Sequence, residues 1–201
     1  MIETVLFDLA EVCMHGMIGI EKEIANAADF TEEEVYPHLR GEKIYDLFRG
    51  KITEDEYWRK VIEQGNYKMP LKFFKKTIRN NFQETPGIRR IIEALKRRDY
   101  QLGLLSDHAR EWIEYIEPRF SIINFFPTRC YSFESRYIKK IDPESFQYAL
   151  QRLNANPKST LFIDDNPNNI KMAQRVGIHY AHRFINTKIL ENIMLEFGIE
   201  L

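Results

Sequence analysis

The chain has 201 residues, of which 44% are hydrophobic and 29% charged, and its formal net charge is -1. That length suits one compact domain, or one domain carrying a modest insert, with a core of useful size. A balanced charge with no long run of one sign excludes nucleic acid or a membrane surface as the main partner.

The N-terminal segment lacks a basic start and a cleavage site, so it does not read as a signal peptide, and no apolar run reaches membrane length. Cys13 and Cys130 are the two cysteines, and they fit neither a close pair nor a metal-binding spacing. A reduced, cytoplasmic protein is therefore expected, with Cys13 a half-buried structural thiol.

In chain order, the first apolar run is Thr4-Val5-Leu6-Phe7, short and continuous as in a strand buried on both faces of a parallel sheet. From Met14 to Glu84 no strand is predicted. Thr31 with Glu34, and Thr53 with Glu56, have capping-box spacing and predict helix starts. Ile44, Leu47 and Phe48 form one helical stripe, and Phe74, Ile78 and Phe82 another. Pro86-Gly87 marks the return to the core. Ile88, Ile91, Ile92 and Leu95 predict a helix before a second strand at Leu102–Leu105, with a further strand through Arg129-Cys130-Tyr131. The helix through Phe146, Ala149, Leu150 and Leu153 leads into the strand Thr160–Ile163. Ile170, Ala173 and Val176 predict the next helix, closed by Gly177, and a weaker strand covers His179–Phe184. Alternating strands and helices predict an α/β, doubly wound parallel-sheet core. Its expected pieces are residues 1–13 and 85–201, with residues 14–84 an inserted α-helical cap.

Polar clusters close these strands: Phe7-Asp8, Leu105-Ser106-Asp107 and Ile163-Asp164-Asp165. Ligands of open parallel sheets bind outside the carboxyl ends of the strands. Capping of the following helices accounts for Ser106 or Asp165 singly. It accounts poorly for Asp8, Asp164 and Asp165 together, because converging carboxylates repel unless protons or a cation compensate. A hard, oxygen-preferring cation such as Mg2+ is the natural compensator.

Asp8 after a strand, Ser106 after a strand, a lysine in Lys139-Lys140-Ile141-Asp142-Pro143, then Asp164-Asp165 with Asn169 resemble the four ordered motifs of the haloacid dehalogenase-like (HAD) superfamily. The insert resembles the helical cap of one of its subclasses. The resemblance implies a Mg2+-dependent phosphatase acting on a small phosphorylated metabolite. Asp8 would be the nucleophile that takes the phosphoryl group. Asp8, the carbonyl of Ala10 and the Asp164-Asp165 pair would hold Mg2+, with Asp165 the direct ligand of the pair and Asn169 in support. Ser106 and Asp107 would face the substrate. The spacing Lys-x-Asp-Pro, kept loosely, favours Lys140 as the catalytic lysine, with its neighbour Lys139 the competitor.

Two departures bear on activity. Relatives carry a second Asp two residues after the nucleophile, and here that position is Ala10, which cannot move a proton. Glu11 is adjacent, and reaches inward only if the turn bends it. Asp107 stands where relatives often have Asn. Low or specialised activity is therefore expected, the alternative being an impaired relative that only binds phosphorylated metabolites. His108 reads as a surface or capping histidine, and Tyr57 and Trp58 as packing for the insert.

Overall fold

In the computed structural model, which describes residues 1–200, five strands form one parallel sheet ordered β3-β2-β1-β4-β5. The first strand, β1 (Thr4–Phe7), is central and wholly buried. An insert of helices follows: α1 (Ile20–Ala28), α2 (Glu32–Val35), α3 (Glu42–Phe48), α4 (Glu54–Gly65) and α5 (Leu71–Asn81). Then come α6 (Ile88–Arg97), β2 (Gln101–Ser106), α7 (Arg110–Ile116), β3 (Thr128–Tyr131) and α8 (Ser132–Ser135). The chain closes with α9 (Glu144–Leu153), β4 (Thr160–Asp164), α10 (Pro167–Arg175), β5 (Tyr180–Arg183) and α11 (Thr187–Glu196). The α/β class and doubly wound parallel sheet are thus as expected.

Alternation along β1 sorts the two faces of the sheet. Leu6 joins Leu105, Cys130 and Phe162 under α9 and α10. Val5 and Phe7 face the larger core, together with Leu104, Leu161 and Ile163 and the apolar sides of α6 and α7. Gly103 lets α9 approach closely, since a Cβ there would stand 2.8 Å from Leu153 Cδ1.

Both capping boxes form. Thr31 Oγ1 accepts from the N–H of Glu34, whose carboxylate accepts the Thr31 N–H, and Thr53 and Glu56 repeat the arrangement at α4. The insert leaves and rejoins the core through a narrow neck. There His15 N–H donates to Gln83 O at 2.8 Å and Thr85 N–H to Cys13 O at 3.0 Å. Tyr57 and Trp58 are fully buried, packing the insert as expected, and both rings also meet Trp112 of α7. Cys13 is fully buried rather than half-buried, because its thiol packs beneath β1 and donates to Asp8 O at 3.2 Å.

Candidate active site

The order 3-2-1-4-5 reverses direction at β1, and the ligand crevice of a doubly wound sheet lies at such a switch point. Pairing of Phe7 with Ile163 sets Asp8 and Asp164 side by side at the carboxyl edge. Ser106 ends β2 on the other flank of β1. One oxygen of each of Asp8, Asp164 and Asp165 lies within 4.8 Å of the others. The sequence-predicted carboxylates therefore do meet.

Lys139, rather than Lys140, reaches this cluster. Its Nζ lies 2.7 Å from Asp8 Oδ2 and 2.6 Å from Asp164 Oδ2, and the side chain is only 1% exposed. The turn after α8 decides between the two lysines. Ile138 N–H donates to Asp142 Oδ2 at 2.8 Å, and the Ile141 and Asp142 N–H groups both donate to Ile138 O. Closing that turn directs Lys139 inward, while the Lys140 Nζ rests 4.8 Å from the centroid of the Tyr45 ring. Burial works against the charge on Lys139, but Asp164, Asp8 and Asp107 outweigh it and hold the ammonium protonated.

The remaining groups are positioned by short hydrogen bonds. Asn169 donates to both oxygens of Asp164, at 3.0 and 2.9 Å, and Asn166 N–H donates to Asp164 Oδ1 at 2.8 Å. Asp107 accepts the N–H of Lys139 at 3.2 Å, so this carboxylate steadies the lysine segment. Leu9 N–H donates to Asp8 Oδ1 at 2.7 Å, fixing the rotamer of the candidate nucleophile. Ser106 Oγ is buried and finds no partner within the protein. An unpaired buried hydroxyl costs about 1–3 kcal/mol, and an arriving oxyanion would satisfy it.

Negative charge is in surplus here. Burial, with Asp164 and Asp165 nearby, raises the Asp8 carboxyl well above its ordinary range, against the pull of Lys139. Burial and Asp164 push Asp165 up to about 6, and burial likewise lifts Asp107 to about 6. One ammonium does not balance these carboxylates, so the donor set fits a hard divalent cation.

The loop from Leu9 to Met14 is tightly wound. Cys13 and Met14 N–H groups both donate to Leu9 O, and Glu11 has φ +61°. Turned inward, Glu11 lines the cavity, yet its Oε1 accepts from the Gly16 and Ile18 N–H groups at 3.0 Å each. Ala10 is beside it, bordering the same cavity.

Sequence reasoning missed two further cavity residues. His108 is not a surface group: it is 2% exposed, between Phe48, Phe82 and Trp112. Burial drives its imidazole down to about 4, so it stays neutral. Its place one step past a strand-end cluster was the available signal. Arg40 belongs to the insert, outside any motif, yet it lines the spaces on both sides of the site. These adjoining cavities have volumes of about 300 and 180 Å3.

Strand-end carboxylates thus meet a buried lysine at the switch point of a parallel sheet, where doubly wound enzymes bind their ligands. Residues 2–177 match the haloacid dehalogenase-like hydrolase family, and the chain belongs to it. Among curated relatives, the pyrophosphatase PpaX of Oceanobacillus iheyensis is 28% identical over 183 residues, which cover 90% of this chain and 82% of that one. The phosphorylated carbohydrates phosphatase of Thermotoga maritima is 24% identical, with 98% and 91% covered. Among solved structures, a HAD family enzyme of Bacteroides thetaiotaomicron in complex with magnesium and inorganic phosphate superposes with a TM-score of 0.73 at 22% identity, covering 92% of this chain and 96% of that one.

Proposed function

We propose that this hydrolase is a Mg2+-dependent phosphatase of small phosphorylated metabolites that works through an aspartyl-phosphate on Asp8. The observation that carries the reading is the meeting of Asp8, Asp164 and Asp165 around a buried lysine beside an unpartnered Ser106 hydroxyl. Relatives that act on pyrophosphate and on phosphorylated carbohydrates support it. In this reading residues 1–13 and 85–201 are the catalytic core, and residues 14–84 are a cap over the cavity.

Asp8, Asp165 and the Ala10 carbonyl would hold the cation. Asp164, already engaged by Lys139 and Asn169, would stand behind them. The cation supplies charge neutralisation on the phosphoryl oxygens. Asp8 Oδ attacks phosphorus, a new O–P bond forms, and the bond to the leaving oxygen breaks with its electron pair going to that oxygen. The Lys139 ammonium, held beside Asp8 Oδ2, offsets charge on nucleophile and phosphoryl group, and Ser106 Oγ–H donates to a phosphoryl oxygen. Water then attacks phosphorus, the Asp8 O–P bond breaks with its electron pair returning to the carboxylate, and inorganic phosphate leaves carrying the protons of the water.

Ala10 supports specialisation. Without an acid at that position, the leaving group must depart as an anion, so acyl, aryl and anhydride donors are favoured over sugar or alkyl esters. The deciding assay is turnover of p-nitrophenyl phosphate with and without Mg2+, alongside Asp8→Asn. Mg2+-dependent phosphate release that vanishes in Asp8→Asn is expected. No release by the wild type, despite Mg2+ and phosphate binding, would establish the binding-module alternative.

A further inference from the structure

Arg40 and Lys140 each rest on a tyrosine ring, and neither has a carboxylate partner. Arg40 follows the 3-10 turn Tyr36–Leu39, and its guanidinium carbon lies 4.8 Å from the centroid of the Tyr36 ring. Its Nε is buried and has no hydrogen-bond acceptor. Among the described residues, no carboxylate comes within ion-pair distance, 4.0 Å, of either cation. Of the four acidic groups lining these cavities, Glu11 is committed to the Gly16 and Ile18 amides and Asp107 to the amide of Lys139, while Asp8 and Asp165 belong to the cation site proposed above. A half-buried guanidinium with an unsatisfied fork is a ready partner for a carboxylate or phosphate.

Both cations line both cavities beside Asp8. We propose that Arg40 and Lys140 form a second anion subsite, and that the substrate is a compact phosphorylated compound whose leaving side carries its own anionic group. The inference rests on the phosphatase reading above and narrows it. Cavities of about 300 and 180 Å3 lie at or below the small end of ligand sites, which favours a substrate of few heavy atoms. Ala10 narrows this class to donors with a weakly basic leaving oxygen, such as an anhydride, because that oxygen departs without a proton. For inorganic pyrophosphate, the smallest such donor, the Asp8 O–P bond forms as the bridging P–O bond breaks. The bridging oxygen keeps the electron pair, and the departing phosphate is stabilised by Arg40 and Lys140. The insert thereby contributes selectivity through Arg40, while the core contributes the chemistry.

The test compares wild type, Arg40→Met, Arg40→Lys and Lys140→Met with Mg2+, measuring kcat/KM for pyrophosphate and for p-nitrophenyl phosphate. The ratio of the two constants is expected to fall by about tenfold or more in Arg40→Met, with partial recovery in Arg40→Lys and a smaller fall in Lys140→Met. A ratio within about twofold of wild type in both Met variants overturns the subsite. Titration calorimetry reads binding independently of turnover. Methylenediphosphonate should bind wild type at least about tenfold more tightly than methylphosphonate, and Arg40→Met should erase that advantage. Equal affinities in wild type overturn the subsite. If wild type hydrolyses neither substrate while the diphosphonate preference depends on Arg40, the phosphatase reading fails and the subsite stands.

Discussion

At the scale of single residues, the choice between Lys139 and Lys140 shows where sequence pattern stops. Neighbouring residues share composition, and motif spacing tolerates a shift of one; the hydrogen bonds of the turn from Ile138 to Asp142 make the selection. Lys139→Met should lower kcat by about a hundredfold or more, since it removes charge beside the reacting atoms. Lys140→Met should act chiefly on KM for pyrophosphate. Steady-state kinetics with p-nitrophenyl phosphate and pyrophosphate separate the two, and a kcat loss confined to Lys140→Met would return the catalytic role to Lys140. Position 10 carries the next expectation. Ala10→Asp should raise turnover of an alkyl phosphate by roughly tenfold, while Glu11→Gln should keep aryl phosphate turnover. The Glu11 carboxylate already accepts two loop amides, which reads as a staple rather than an acid. Loss of all activity in Glu11→Gln, with no gain in Ala10→Asp, would make Glu11 the proton donor.

Among elements, α4 joins the insert to the core through one buried carboxylate. Glu54, only 1% exposed, accepts from Arg79 at 2.6 and 2.7 Å and from the indole N–H groups of Trp58 and Trp112 at 3.2 and 2.9 Å. Trp112 is on α7 of the core, so one carboxylate ties α4 and α5 to it. Burial alone would raise the Glu54 carboxyl, but the Arg79 bonds and the indole donors bring it below the ordinary value. Its contribution is thus present at neutral pH and lost as pH falls through that lowered value. Glu54→Gln removes the charge but keeps the shape, leaving Arg79 unpaired, and should cost about 3 kcal/mol in urea unfolding. A loss under about 0.5 kcal/mol would mean that the cluster is already solvated. The caps and stripes of these helices were legible because they are local. Docking was not, since Glu54 sits in sequence as an ordinary first-turn acid and the two tryptophans as ordinary apolar residues.

For the whole molecule, the strands and their ends were legible because buried parallel strands announce themselves as apolar runs, and their terminal carboxylates mark the edge where ligands gather; their order within the sheet is set by long-range pairing and was not. Cavity residues from the insert, Arg40 above all, were not, because their convergence depends on how helices pack across the neck. Folding brings the acidic edge together, so metal, protons and stability must be linked. Asp165 has an ordinary value of 3.8 and is pushed up to about 6 in the fold by burial and Asp164. Between those values the metal-free native state holds a proton that the unfolded chain has released. The corresponding stability is fully present below the ordinary value and disappears as pH rises through about 6. Asp165→Asn imitates the protonated form, so in EDTA its melting temperature relative to wild type should increase from pH 5 to pH 8. Mg2+ should reverse that order at pH 8. Binding at a hundredfold excess over Kd adds about 2.7 kcal/mol to a protein that retains the site, and the Asn variant forgoes most of it. Thermal melts of both proteins at the two pH values, with EDTA and with Mg2+, make the comparison complete. A difference that stays flat with pH and is indifferent to Mg2+ would remove Asp165 from the metal site, and the surplus charge at the sheet edge would then have to be balanced by Lys139 alone.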